Sequence, residues 1–148
     1  MTENVINELP EEALKHLSHV GKTVVVATVD AAGWPNTAPL TWVVAKDKQT
    51  IRMAVNAAAS TLQNIHASGR VAIFIGNDAI AISVKGRARV LKEPMHSVPF
   101  PTALIEVVVE AVEDKMALPP GIGSAEVPTW DQRRRVVSDA AVEQELLS

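Results

Sequence analysis

The residues best suited to bind a ligand lie at the start of a short predicted helix, residues 60–69. Ser60 and Gln63 have the spacing of a capping box, in which each side chain bonds to a backbone N–H group at the other residue. Free N–H groups and hydroxyls at Ser60 and Thr61 can also hold an anion, because a helix start carries partial positive charge. An ordinary capped helix that stops at Gly69 explains the same pattern, so both interpretations stay open.

The remaining reactive side chains form no recognisable catalytic pattern. Four histidines, His16, His19, His66 and His96, belong to unrelated elements, and we predict no metal site. The chain has no cysteine, no Gly-x-Ser-x-Gly motif and neither the Walker nor the Rossmann phosphate fingerprint. No acid–base pair is evident, so the catalytic residues are unassigned and any redox chemistry requires a bound cofactor.

Two tryptophans flank a short proline-containing stretch. Trp34 and Trp42 stand on either side of Pro-Asn-Thr-Ala-Pro, residues 35–39. Their rings could stack on a flat ligand, or they could be buried or lie in a dimer interface.

Hydrophobic patterning predicts a mainly β domain with a few short helices. A helix is expected at about 8–20, a barrel at about 22–113 and a second helix at about 130–147, opened by a capping box at Thr129 and Gln132. Strands are predicted at 23–29, 34–45, 51–55, 70–75, 79–91 and 103–112, although a helix is the alternative for the last. Hairpin-linked strands suggest a split β-barrel of about six antiparallel strands. The helix at 60–69 falls between strands 3 and 4 and would fill the gap.

Size and charge narrow the function classes. The chain has 148 residues, 47% of them hydrophobic, and a net charge of −3. These values fit one ordinary domain, residues 1–148, without the basic face of a nucleic-acid binder. No signal pattern or membrane-length apolar run is present, so we expect a cytoplasmic protein that is not bound to a membrane.

A series of short motifs between Lys22 and Leu91 is similar in order and spacing to a known family. The motifs are Ala27-Thr28-Val29-Asp30 with Gly33 and Pro35, Ala38-Pro39-Leu40, Ser60-Thr61-Leu62-Gln63-Asn64-Ile65, Arg70-Val71-Ala72-Ile73 and Val84-Lys85-Gly86-Arg87-Ala88. Together they resemble the pyridoxamine 5′-phosphate oxidase-like, FMN-binding split-barrel family. The resemblance implies a homodimer with flavin sites between the subunits, and a flavin-dependent oxidoreductase of unknown substrate.

The resemblance also implies a set of cofactor-binding residues. The FMN phosphate would lie at the strand-to-helix junction, residues 56–61, and the isoalloxazine ring along residues 39–41. Arg52, Lys85 or Arg87 would supply positive charge from other strands. The full set is Pro39, Leu40, Thr41, Arg52, Val55, Asn56, Ser60, Thr61, Lys85 and Arg87.

Four positions depart from the family pattern. Ala38, Val43, Ala59 and Thr61 stand where flavin-binding members typically have an arginine, a lysine, a serine and a lysine. The Thr61 hydroxyl is expected to face outward and replace the last of these. The departures leave three alternatives open: a non-catalytic module that binds a small ligand, a family member without a cofactor, or one that holds a deazaflavin or a haem breakdown product.

Overall fold

The computed structural model describes residues 6–115 and 139–148. Within those residues it contains three helices, α1 Glu11–His16, α2 Ser60–Ser68 and α3 Asp139–Leu147. It also contains seven strands, β1 Val24–Val29, β2 Pro35–Leu40, β3 Val43–Asp47, β4 Thr50–Asn56, β5 Arg70–Gly76, β6 Ala81–Lys92 and β7 Thr102–Asp114. None of the described helices is long and apolar enough to cross a bilayer.

The seven strands form one antiparallel sheet that curls into a half-barrel. Its order is β2-β1-β5-β6-β7-β4-β3, and α2 packs against β1, β2, β4 and β6. The predicted split barrel with an inserted helix is therefore confirmed. There are seven strands rather than about six because the predicted strand at 34–45 is interrupted at Thr41 and Trp42. β2 pairs only with β1, as expected for a strand whose two prolines lack N–H donors, and β3 crosses to pair with β4.

The core lies inside the curled sheet, where alternate strand residues point inward. Val24 and Val26 of β1 alternate with more exposed residues, and α2 adds Leu62 and Ile65. The largest fully buried side chains are Leu9, Leu17, Ile51, Met53, Ile73, Ile75, Ile105, Val24, Val26, Val43, Val55 and Val84. α2 therefore covers the open side of the core, so its first turn is held in place by packing.

The segment predicted as either strand or helix at 103–112 is a strand. β7 pairs with β4 on one side and β6 on the other. The register with β6 shifts between Lys85 and Gly86, which pair with Ala111 and Val109, so Glu110 is the extra residue of a bulge. A Cβ atom at Gly86 would lie 2.6 Å from a backbone oxygen of β7. Gly86 is therefore a point of close backbone approach between β6 and β7.

The first helix is shorter than predicted, and the last is confirmed over the residues that the structure describes. α1 is shorter than the expected 8–20 because the Leu17 carbonyl accepts a hydrogen bond from the Ala45 N–H of β3, at 2.8 Å, instead of continuing the helix. α3 confirms the helical prediction over Asp139–Leu147. The predicted helix start at 129–138 lies outside the described residues.

Candidate functional site

The turn between β4 and α2 is arranged by Asn56 rather than by a serine cap. The Asn56 side-chain oxygen accepts a hydrogen bond from the Ala58 N–H at 2.8 Å, and its carbonyl accepts one from Ala59 at 3.0 Å. This turn puts Ala59 at the N-cap, with φ −75° and ψ 144°, and no side chain caps the helix. The predicted capping box is therefore wrong, since Ser60 is already the first helical residue. The predicted stop at Gly69 is confirmed by its φ of 72°.

The first turn of α2 presents two free backbone donors. The N–H groups of Leu62 and Gln63 donate to the Ala59 carbonyl, at 3.1 and 3.4 Å. The N–H groups of Ser60 and Thr61 have no acceptor among the residues that the structure describes. Two open donors at the positive end of a helix suit a bound anion.

The Thr61 side chain faces the interior of the protein. It is 2% exposed, and its hydroxyl oxygen accepts a hydrogen bond from the Asn36 amide at 3.2 Å. The Asn36 amide also lies 3.4 Å from the Thr28 hydroxyl oxygen, which accepts a second bond from Asn64 at 2.9 Å. The expected outward-facing Thr61 hydroxyl is wrong because these bonds join α2 to β1 and β2. Only the backbone of Thr61 remains free for a ligand.

An apolar cavity of about 610 Å³ lies against β3 and β4, beneath the segment before β7. Trp42 and Phe100 stack in it, with ring centroids 6.2 Å apart and an interplanar angle of 13°. The other lining residues include Val20, Val44, Arg52, Ala54, Met95 and Leu104. Trp42 remains 45% exposed although it contacts Phe100, whereas Trp34 projects into solvent from the β1–β2 turn. The cavity can therefore take a flat apolar group.

The predicted cofactor-binding residues fall into three groups. Asn56, Ser60 and Thr61 lie together at the start of α2, whereas the neighbouring Val55 side chain is 1% exposed and belongs to the core. Pro39, Leu40 and Thr41 form the end of β2 and the crossover to β3, next to Trp42 of the cavity. Arg52 lines the cavity itself. Lys85 and Arg87 form the third group, on β6.

Arg52 belongs to a cluster in which two arginines bond to one carboxylate. Its Nε and Nη2 groups donate to Glu106 Oε2 at 3.2 and 2.9 Å, while Arg89 donates to Oε1 at 3.3 and 2.9 Å. Arg89 most strongly, and Arg52 next, hold the pKa of the Glu106 carboxyl below its ordinary value. Glu106 is not among the predicted site residues, and the cross-strand alignment of Arg52, Glu106 and Arg89 is the signal that identifies it. Arg52 is therefore held towards Glu106, and the cluster of two arginines and one carboxylate keeps a net charge of +1.

Lys85 and Arg87 do not meet the start of α2 within one chain. Buried Val84, Gly86 and Ala88 alternate with them along β6, so their side chains project from the outer face of the sheet. Lys85 pairs with Glu113 at 3.7 Å and Arg87 with Glu110 at 3.3 Å. Because α2 covers the core side, these cations could approach a helix start only in another subunit.

Comparisons with known proteins agree on the fold. The family model described as pyridoxamine 5′-phosphate oxidase matches residues 10–145. A candidate pyridoxamine 5′-phosphate oxidase from Lactobacillus delbrueckii has a similar structure, with a TM-score of 0.64, 23% identity, and coverage of 76% of this chain and 98% of that one. HupZ from Group A Streptococcus is similar with a TM-score of 0.62 and 22% identity, over 72% of this chain and 94% of that one. No curated protein matches the chain.

Other similar structures are named by a flavin-type cofactor. An FMN-binding protein from Syntrophomonas wolfei has a TM-score of 0.51 and 15% identity, over 73% of this chain and 89% of that one. An FAD-binding protein from Mesorhizobium loti has a TM-score of 0.55 and 17% identity, and an F420 reductase has 0.56 and 19%. At these identities the similarity establishes the fold.

Proposed function

Since the chain belongs to the pyridoxamine 5′-phosphate oxidase family, we propose that it binds a flavin, FMN first among the candidates, and is a flavin-dependent oxidoreductase. The observation that carries this proposal is the pair of open N–H groups at Ser60 and Thr61 close to the apolar cavity. A bound flavin would supply the electron and hydride transfer that none of the side chains described above can perform. Among the described residues we assign none to substrate binding.

One strand leads from the cavity to the helix start. Arg52 and Ala54 of β4 line the cavity, and β4 ends at Asn56, where the turn into α2 begins. Two strand residues span about 7 Å. A ring packed against the stacked Trp42 and Phe100 and a phosphate at α2 would therefore follow one strand. The cavity volume of about 610 Å³ lies within the usual range for cofactor sites.

The chain offers fewer groups that can bind the phosphate than family members with a cationic clamp do. Ala38, Val43 and Ala59 carry no charge, the Thr61 hydroxyl is bonded internally, and Arg52 is paired with Glu106. Backbone N–H groups and the exposed Ser60 hydroxyl are the donors that remain at the helix start. We therefore expect weaker phosphate binding than in family members with arginine and lysine at these positions. The similar structures named for FMN, FAD and F420 support a flavin-type cofactor without selecting one.

We also propose that the protein is a homodimer whose cofactor sites lie between the subunits. Support comes from large apolar side chains that one chain leaves exposed. They are Val29, Trp34, Trp42, Phe74, Phe100 and Val108. Burial of such residues in a second copy would remove them from water. Sedimentation showing only monomer at micromolar concentration would exclude the dimer.

The phosphate site can be tested by removing a single backbone donor. Proline is favoured at the first helical position, and the extended conformation of Ala59 suits a residue before proline. Ser60→Pro therefore removes one N–H and keeps α2 intact. Ser60→Ala, the matched control, removes the hydroxyl but keeps the N–H.

The measurement is titration of each protein with FMN and with riboflavin, which lacks the phosphate. A hydrogen bond to a charged group contributes about 1.5–3 kcal/mol, so Ser60→Pro should weaken FMN binding by at least about tenfold. Riboflavin affinity should not change. If the wild-type protein binds FMN and riboflavin equally, the phosphate does not lie at α2. Absence of flavin absorption near 450 nm after purification with FMN, and of any thermal stabilisation by FMN, would reject the flavin proposal itself.

A second candidate is a non-catalytic module that binds a flat apolar ligand. The absence of positive charge at Ala38, Val43, Ala59 and Thr61, beside a cavity with mainly apolar walls, favours it. It predicts no stabilisation by FMN. A ligand at a hundredfold excess over its dissociation constant stabilises by about 2.7 kcal/mol, so a thermal-shift comparison of FMN, riboflavin and a deazaflavin separates the two functions.

A further inference from the structure

A second concave surface lies on the outer face of the sheet, and we call it the β1–β5–β6 groove. Its volume is about 410 Å³. Ala27, Val29, Pro35 and Ala72 contribute apolar surface. The charged residues of the lining are Arg70, Lys85 and Arg87 and one acid, Glu110, so the groove has a net positive charge. Lys85 and Arg87 have acidic partners, but the Arg70 guanidinium has none among the described residues. The groove therefore combines an apolar surface with an unpaired positive charge.

Helix α3 has the complementary properties. Val142, Leu146 and Leu147 are 44%, 78% and 80% exposed. Val142 and Leu146 are four residues apart and share one face of the helix. The helix sequence also contains Asp139, Glu143 and Glu145 but no lysine or arginine. An isolated helix of this length is marginal in water, so α3 needs a surface that covers its apolar side.

We infer that α3 of one copy docks in the β1–β5–β6 groove of a second copy, with the second α3 in the reciprocal contact. Val142 and Leu146 would cover the apolar floor, and the flanking Glu143 and Glu145 would approach the cationic rim at Arg70. The inference rests on the proposed homodimer and assigns one of its contacts; it does not depend on the flavin.

Net charge favours this groove over two other cavities of the described residues. The cavity beside Ile6 has Glu8, Glu11 and Glu110 in its lining, with Lys48 as its basic residue. The cavity beside Ile80 has Glu12 and Asp114 at its edge. Both would repel an acidic helix. The single chain leaves the apolar side chains of α3 exposed.

Charge reversal on both sides of the contact tests the inference. The variants are Arg70→Glu, Glu145→Arg and the two combined, with Lys46→Glu on exposed β3 as the matched control outside the groove. An exposed ion pair changes an association constant by up to about fivefold, and the contact occurs twice in a reciprocal dimer. Sedimentation equilibrium should therefore show each single reversal weakening the dimer about tenfold. The combined variant should recover most of this loss, and Lys46→Glu should match the wild type.

A variant of the apolar side completes the test. Leu146→Ser should weaken the dimer, whereas thermal unfolding measured at a concentration where both proteins are monomeric should stay unchanged. A dimer with the same affinity in every variant would overturn the α3 contact but leave the homodimer intact. A wild-type protein that is monomeric would overturn both. A third result is a monomeric wild type whose α3 amides resist hydrogen exchange and lose that resistance in Arg70→Glu. This result would overturn docking in a second copy and would place α3 in the groove of its own chain.

Discussion

Replacement of Thr28 by valine would remove one hydroxyl and leave the size of the side chain nearly unchanged. Thr28 and Asn64 are 3% and 7% exposed, and the Asn64 amide donates to the Thr28 oxygen at 2.9 Å. In Thr28→Val this buried donor has no acceptor at that position. Asn36 keeps its bond to Thr61 at 3.2 Å. The main bond that the variant loses is therefore the one from Asn64.

A buried donor left without its partner costs about 1–3 kcal/mol. For a chain of this size, 1 kcal/mol lowers the melting temperature by roughly 2–4 °C. We therefore expect Thr28→Val to melt several degrees below the wild type. Replacement of both partners by apolar groups can be nearly neutral, so Asn64→Leu added to Thr28→Val should cost less than the sum of the single changes.

Urea unfolding of the wild type, both single variants and the double variant measures this coupling, at one protein concentration because oligomers shift with concentration. Thr37→Val on the exposed face of β2 is the control and should change stability by less than about 0.5 kcal/mol. Additive costs in the double variant, or a Thr28→Val cost no larger than that of the control, would refute the role of this bond in holding α2.

Three further predictions concern other parts of the molecule. Gly86→Ala should unfold the protein or lower its stability by more than about 1–3 kcal/mol in urea, because the new Cβ would lie 2.6 Å from a backbone oxygen of β7. The lowered pKa of Glu106, caused mainly by Arg89, means that its stabilising contribution is lost as the pH falls below 4.5 towards the lowered pKa. Unfolding between pH 7 and pH 3 should therefore show the difference between wild type and Glu106→Gln narrowing with acid, and a constant difference would contradict this. Trp42→Ala should weaken flavin binding about tenfold by titration, whereas Trp34→Ala, outside the cavity, should not.

Periodicity predicts a strand well where one face is buried and the other is exposed. The alternation of Ile82, Val84 and Ala88 with charged residues in β6 is an example. The prediction of a single strand at 34–45 was wrong because no glycine, asparagine or aspartate marks the interruption at Thr41 and Trp42. Its division depends on a tertiary choice, in which β2 pairs with β1 and β3 pairs with β4 on the opposite edge.

The candidate site was only partly predictable, because side-chain direction at a helix start depends on the turn before it. Sequence spacing located the donors at Ser60 and Thr61. It misassigned the cap, since an Asn56 turn moves the N-cap to Ala59, and spacing alone contains no information on that turn. Prediction of the ion pairs of Glu106 also requires knowledge of the strand register, because Arg52 and Glu106 are far apart in sequence.

The inward direction of Thr61 changes how this fold can hold a phosphate. Its hydroxyl bonds to Asn36 and so contributes to keeping α2 over the core, and it is not available to a ligand at the surface. A lysine side chain at this position would either point away from the interior or bury its charge there, which is unfavourable. A single substitution would therefore not recreate a cationic clamp. The α2 start therefore depends on backbone donors whose direction is maintained by the buried bonds among Thr28, Asn36 and Asn64. Loss of those bonds should weaken FMN binding more than riboflavin binding, because the phosphate is the part of FMN that riboflavin lacks.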